Sequence, residues 1–342
     1  VSNQRETNEV PRTVISDIAE RSGVSATTVS RVLNGHKDVS AATRNKVMQY
    51  IKELGYVSHR TSRTSSAQLG ITVPMFNNYF GKIIEGVYEA LQGRNAQLLP
   101  IRTNNYYDAE VSQVQQLMNQ EISGMIFTLP QENADELLRI KQKGLPFVVA
   151  DPFRLLPDEI PTIMVENISA SMIATEHLLK LGHRRIGVIT GPPDWKTTID
   201  RTTGYYAALA SAGIPIDPVL ICEGRWQADS GDEAARQLLA LPEPPTAIFA
   251  FNDDMAIGAI YAVHASGLRV PEDISVVGCD DALDDLPYAL PPLTTIHQPL
   301  REIGRIAVDV LYRIMQQQPL EATHIKLSAR LIVRHSTGPR KQ

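Results

Sequence analysis

Residues 22–34 read Ser22-Gly23-Val24-Ser25-Ala26-Thr27-Thr28-Val29-Ser30-Arg31-Val32-Leu33-Asn34. Gly23 permits a tight turn, and Ser25 is a good N-cap for a helix that starts directly after it. Within that helix Val29, Val32 and Leu33 share one face, so Ala26, Thr27, Ser30, Arg31 and Asn34 share the other. Upstream, Ile15, Ile18 and Ala19 form an apolar face at helical spacing; downstream, Val47, Ile51 and Leu54 form a third. Ser40 caps the third helix, and Gly55 stands where a helix C-terminal glycine is expected. Three short helices with a glycine turn between the first two have the geometry that places a recognition helix in the DNA major groove. The outward residues suit that role, since Arg pairs bidentately with guanine, Asn with adenine, and Ala or Thr touches a thymine methyl. The hydroxyls of Ser25 and Thr28, with Arg44 or Lys46, suit phosphate contacts. The competing reading is a three-helix interaction module with a solvated polar face.

Charge supports a polyanion partner for this segment alone. Residues 1–65 carry ten Lys or Arg and six Asp or Glu, a net +4, whereas the rest of the 342-residue chain is −9. From 58 to 66, six of nine residues are Ser or Thr, punctuated by Arg60 and Arg63, which reads as a linker. Beyond Leu69 the rhythm changes. Apolar runs that suit buried strands occur at 70–73, 98–101, 125–129, 147–150, 186–190, 247–251 and 275–278. Amphipathic helical patterns separate them at 82–91, 169–181, 229–241 and 253–265. This alternation predicts a doubly wound α/β body with parallel sheets. About 270 residues is large for one such sheet, so two lobes are expected, with a ligand cleft at the C-terminal strand ends.

Composition excludes several classes. Hydrophobic residues make up 43% and charged residues 21%, the ordinary globular range. No apolar run is long enough to span a bilayer, and the polar opening residues show no signal-peptide core, so a cytoplasmic location is expected. Cys222 and Cys279 lack metal-ligand spacing. The chain contains no GxSxG, GxGxxG, Walker A or HExxH pattern, so neither an enzyme nor a cofactor or metal site is expected.

The run from Ile18-Ala19 through Ser22–Ser25, Thr28–Gly35, Val39-Ser40, Thr43-Arg44 and Leu54-Gly55-Tyr56 resembles the LacI family of bacterial transcription regulators. The body carries the resemblance further, through Leu181–Gly187, Gly191-Pro192, Arg201 with Gly204-Tyr205, Asn252-Asp253, Pro271–Gly278 with Asp280-Asp281, Pro292–Ile296 and Val333-Arg334. It implies a helix-turn-helix domain over 12–57, a hinge over 58–68, and an effector-binding and dimerisation body over 69–338. The body would resemble periplasmic binding proteins, with 69–163 and 294–322 in the lobe near DNA and 164–290 and 323–338 in the far lobe. Homodimers would read a pseudopalindromic operator, chiefly through Ala26 and Thr27 with support from Arg31. The hinge departs from the family pattern: Ser58 and His59 replace Pro-Asn, and Ser65 stands where a leucine wedges into the minor groove. Serine unstacks a base step poorly, so major-groove binding without a leucine wedge is expected, the alternative being a shifted hinge helix that uses Leu69.

Expected effector contacts are Tyr79, Phe80, Asp151, Arg201, Trp226, Asn252 and Asp280, all near strand or helix ends. Carboxylate, guanidinium, amide and aromatic groups together suit a neutral polyol, so a sugar is the first expectation. A nucleobase or other metabolite is the alternative, while a solute-binding protein would leave the basic head unexplained. Asp253 and Asp281 are expected to cap helices or hold turns.

Overall fold

The computed structural model describes residues 15–33, 39–53, 66–120, 122–284, 288–289 and 291–341. Asn34, Leu54, Gly55, Ser58, His59 and Ser65 lie outside them. The chain divides into two compact units at Ser65/Ser66.

The first unit contains α1 (Ile15–Ser22), α2 (Ala26–Leu33) and α3 (Ala41–Glu53). Ile18, Ala19, Val29, Val32 and Val47 form its core, at the positions the periodicity predicts. Gly23 makes the α1–α2 turn at φ 64°, a left-handed conformation that a side chain disfavours. The Thr28 N–H donates to Ser25 Oγ at 3.1 Å, and the Thr43 N–H to Ser40 Oγ at 3.1 Å, so both predicted caps are made.

The second unit is built on two six-stranded sheets. The first runs β11-β5-β4-β3-β1-β2, with β1 (Ala67–Val73), β2 (Ala96–Arg102), β3 (Gly124–Thr128), β4 (Phe147–Ala150), β5 (Thr162–Val165) and β11 (His324–Leu327). The second runs β12-β10-β9-β8-β6-β7, with β6 (Ile186–Thr190), β7 (Ile221–Glu223), β8 (Ala247–Ala250), β9 (Ser275–Asp280), β10 (Thr294–His297) and β12 (Arg330–Ile332). All neighbours pair in parallel except β10 with β12. Seven of these strands are the predicted apolar runs. Leu69 is fully buried in β1, so it serves the core of the first lobe and not a shifted hinge helix.

The expected lobe boundaries need correction at the C-terminal crossings. Strand β10 joins β9 in the second sheet, with Thr294 opposite Val277, so 294–297 belong with the second lobe. Strand β11 pairs with β5, so 324–327 belong with the first, as does β5 through Val165. Between them α11 (Leu300–Met315) lays its apolar face on the first-lobe core beside α4 (Asn78–Leu91). The chain still crosses between lobes three times, after β5, β10 and β11. No helix among the described residues is long and apolar enough to cross a membrane. No cluster of three or more His, Cys, Asp or Glu side chains able to hold a metal ion occurs among them.

Candidate functional site

The seven residues expected to contact an effector line one cavity of about 450 Å³ between the lobes. That volume suits a mono- or disaccharide-sized ligand. Tyr79 and Phe80 sit in the first turn of α4, whose N-cap Asn77 accepts the Phe80 N–H at 3.1 Å. Asp151 follows β4, Asn252 follows β8, and Asp280 ends β9. Parallel strands deliver these side chains at their C-terminal ends, where the chain leaves the sheet. Asp151, Trp226 and Asp280 all have left-handed backbone, with φ of 54°, 66° and 127°. Asp tolerates this region, but a tryptophan there is strained, and the surrounding packing must hold it.

Arg201 organises the second-lobe wall. It lies in the second turn of α8 (Lys196–Ser211). The side chain is buried; its Nε donates to Asn167 Oδ1 at 2.9 Å, one terminal nitrogen donates to the Phe251 carbonyl, and the other reaches Asp280 Oδ1 at 3.4 Å. Gln298 Nε2 donates to the same Asp280 oxygen at 2.5 Å. Arg201 thus braces Asn167 and the Phe251 carbonyl and, with Gln298, flanks Asp280. Burial pushes the Asp280 carboxyl up to about 7, with the Arg201 charge pulling against it. Across the cleft, Tyr79 Oη donates to Asp151 Oδ2 at 2.9 Å. Burial raises Asp151, and the Tyr79 hydroxyl and Arg201 oppose that rise.

Asn252 has two structural duties. Its Oδ1 accepts the Met255 N–H at 2.9 Å, which caps α10 (Asp253–Ala265), and its Nδ2 donates to the Trp226 carbonyl at 2.9 Å. It thus holds the loop that presents Trp226. Gly191 supports the same indole: a Cβ there would stand 2.0 Å from Trp226 Cζ2. Asp253 and Asp281 do not cap helices as expected; the α10 cap is Asn252, and both aspartates bond residues of other elements. Buried Asp253 accepts from the Thr295 hydroxyl at 2.5 Å and so ties α10 to β10. Asp281 binds His297 Nδ1 at 2.9 Å and Arg334 at 2.8 Å. Sequence reasoning missed Trp195, which lines the cavity 5.6 Å from Trp226, centroid to centroid. It also missed Asn105, which lines the cavity too and has a buried Oδ1 without a hydrogen-bond partner.

Carboxylates outnumber guanidinium groups along the wall: Asp151, Asp253, Asp254 and Asp280 against Arg201 and Arg225. Burial raises all four carboxyls, so the wall offers hydrogen-bond partners to hydroxyl or amino groups more than a fixed negative charge.

In the first unit, Ser25, Ala26, Thr27 and Arg31 are exposed, whereas Thr28, Ser30 and Arg44 are half-buried. The Ser25 and Thr28 hydroxyls lie 2.9 Å apart, so the capping pair is already engaged internally. Asn34 falls outside the described residues.

Residues 14–59 match the family described as "Bacterial regulatory proteins, lacI family", and residues 175–337 match "Periplasmic binding protein-like domain". The chain is 34% identical over 329 residues to the HTH-type transcriptional repressor CytR of Escherichia coli (strain K12), covering 94% of this chain and 96% of that protein. It is 33% identical to the HTH-type transcriptional repressor PurR of Photobacterium profundum, covering 94% and 98%. Among solved structures, it resembles a complex of the transcriptional regulator CelR with cellobiose (TM-score 0.73, 32% identity, 95% of this chain and 100% of that one). It equally resembles the lac repressor dimer bound to operator and the anti-inducer ONPF (TM-score 0.73, 31% identity, 96% and 100%).

Proposed function

The chain belongs to the LacI family of bacterial regulatory proteins, and from that membership we propose that it is a ligand-responsive transcriptional repressor, not an enzyme. It works in the cytoplasm as a homodimer on a pseudopalindromic operator. Ala26, Thr27, Arg31 and Asn34 read base edges, while Ser25, Thr28, Ser30 and Arg44 set register on the backbone. A small molecule in the interlobe cavity controls operator affinity by its differential affinity for two arrangements of the lobes.

The main support for this reading is the convergence of all seven expected effector contacts on one cavity in a chain that also carries an exposed recognition-helix face. The ligand is a neutral, hydroxyl-bearing ring compound, a sugar first. Asp151 and Asp280 hydrogen-bond its hydroxyls. A nucleoside is the second reading, favoured by the aromatic content of the same wall, where Trp195 and Trp226 stand together.

Selecting bound sequences from random duplex DNA at moderate salt, with and without a panel of sugars and nucleosides, tests the proposal. It predicts recovery of a pseudopalindrome whose binding one ligand class changes. Recovery of only a salt-sensitive, sequence-independent background would overturn it.

A further inference from the structure

From Thr103 to Leu138 the chain holds six acidic residues and no Lys, Arg or His. Asp108 and Asp135 face solvent, as charged side chains ordinarily do, but two of the six are buried. Glu110 on α5 (Tyr107–Asn119) is 1% exposed, and Glu132, in the loop between β3 and α6 (Ala134–Gln142), is 4% exposed. The Gln131 N–H donates to Glu110 Oε2 at 2.9 Å and fixes that carboxyl. Glu110 Oε1 and both carboxyl oxygens of Glu132 are buried without a hydrogen-bond partner. So is Gln113 Oε1, one turn after Glu110 on the same side of α5. Nine buried side-chain polar atoms among the described residues lack a partner, and these acceptors are four of them, so the deficit concentrates at one place. The charge of Glu132 acts on Glu110 and that of Glu136 on Glu132, so the charges felt by the pair are negative. Tyr107, whose hydroxyl donates to Glu136, feels Glu136, Glu132 and Asp108 together. Buried carboxylates require a counter-charge or donors. One proton shared by the pair would satisfy two of the four oxygens and leave the other two bare. A divalent ion satisfies all four and cancels both charges.

We propose that Glu110, Glu132 and Gln113 form a binding site for a hard divalent cation, of the class of Mg2+, Mn2+ and Ca2+, within the first lobe. The donor set is oxygen only, which suits these ions and not zinc or copper, and water completes the shell. Two carboxylates and one amide make a low-charge set, so the affinity falls in the range of roughly 10⁻⁴ to 10⁻³ M. The bound ion ties α5 to the β3–α6 loop, and Asp108, Asp135 and Glu136 supply a negative field at its approach. None of the three ligands lines the interlobe cavity, so the site is separate from it. Its two carboxylates stand 22 residues apart on different elements, which is why no metal-ligand spacing marks it in the sequence.

The full chain, stripped of metal with EDTA and then dialysed, is titrated with MnCl2 while free Mn2+ is read by electron paramagnetic resonance. About one Mn2+ per chain should bind with a Kd of about 0.1–1 mM, and MgCl2 or CaCl2 should displace it. Glu110→Gln and Glu132→Gln should each weaken binding about tenfold or more. Glu321→Gln, which removes a charge that is 93% exposed and far along the chain, should stay within about twofold. Glu110→Gln keeps an acceptor for the Gln131 N–H, and circular dichroism of each variant verifies that it is folded. Thermal unfolding supplies a second reading. At Mn2+ about tenfold above Kd, the midpoint should rise by about 2–5 °C in the unsubstituted chain and in Glu321→Gln, and by less than about 1 °C in the two site variants. Absence of saturable Mn2+ binding overturns the site and leaves the two carboxyls sharing a proton. Binding, or a thermal shift, that persists undiminished in both folded site variants overturns it equally, because the ion then sits elsewhere.

Discussion

Replacing Glu110 by Gln should stabilise the protein increasingly as pH rises from 5 to 7. Glu110 lies on α5 (Tyr107–Asn119), is 1% exposed, and accepts the Gln131 N–H at 2.9 Å through Oε2. Its Oε1 and both carboxyl oxygens of Glu132, itself 4% exposed, have no hydrogen-bond partner. Burial, with the charge of Glu132 added, pushes Glu110 up to about 8, against about 4.3 in an unfolded chain. Between those values the folded state keeps a proton that the unfolded state has lost. The unfolded state therefore binds fewer protons, and stability falls as pH rises, by at most about 1.4 kcal/mol per pH unit. From pH 5 to pH 7 the upper bound is about 3 kcal/mol; sharing of the proton with Glu132, which burial also raises, brings the expected change to about 1–3 kcal/mol. Gln cannot ionise, and its carbonyl still accepts the Gln131 N–H. Urea unfolding of both proteins at pH 5, 6 and 7 measures the difference directly. It should be up to about 1 kcal/mol at pH 5, where the unfolded carboxyl is already mostly ionised, and grow toward neutrality. A difference that stays constant across this range would rule out a raised Glu110 carboxyl, since a merely steric effect has no pH dependence.

Three other substitutions probe the sites. Arg31→Ala should weaken binding to a selected operator by roughly 1–3 kcal/mol more than binding to random DNA, measured by anisotropy titration; equal losses would reduce Arg31 to a phosphate contact. Gly191→Ala places a methyl where Trp226 now packs, so tryptophan emission should shift to the red while stability falls only modestly, by about 1–3 kcal/mol; an unchanged spectrum counts against the packing described. Arg201→Met removes a buried cation with three hydrogen-bonding partners and should cost about 3–5 kcal/mol, part of which adding Asp280→Asn returns. Strictly additive losses in that double-mutant cycle would show that the two side chains do not interact.

The legibility of this chain tracks how local each signal is. The three head helices are readable because their caps, glycine turn and apolar faces lie within a few residues of one another. Seven strands, four to seven residues long, are readable as apolar runs. Strands β10, β11 and β12 are not, since each has three or four residues mixing Thr, His, Lys and Arg with aliphatics. Their sheet membership depends on partners far along the chain, and that is why the lobe boundaries moved. The cavity residues at strand ends follow from position and from resemblance. What each does there is less visible: Asn252 caps and braces, and Arg201 ties Asn167, the Phe251 carbonyl and Asp280 together. Trp195 escapes notice because it follows Pro192-Pro193-Asp194, a stretch with no periodicity. Glu110 and Glu132 escape for the opposite reason, as charged residues near a helix start ordinarily face solvent.

Cavity occupancy and operator affinity should be coupled in one chain, and a reciprocal titration measures that coupling. The full chain is titrated with the selected operator, with and without a ligand identified by thermal shift, and then with the ligand, with and without operator. Ligand should change operator affinity by about 5- to 150-fold, and operator should change ligand affinity by the same factor. Asp280→Asn should diminish both changes together. Operator affinity that is identical with and without a saturating ligand would contradict the coupling.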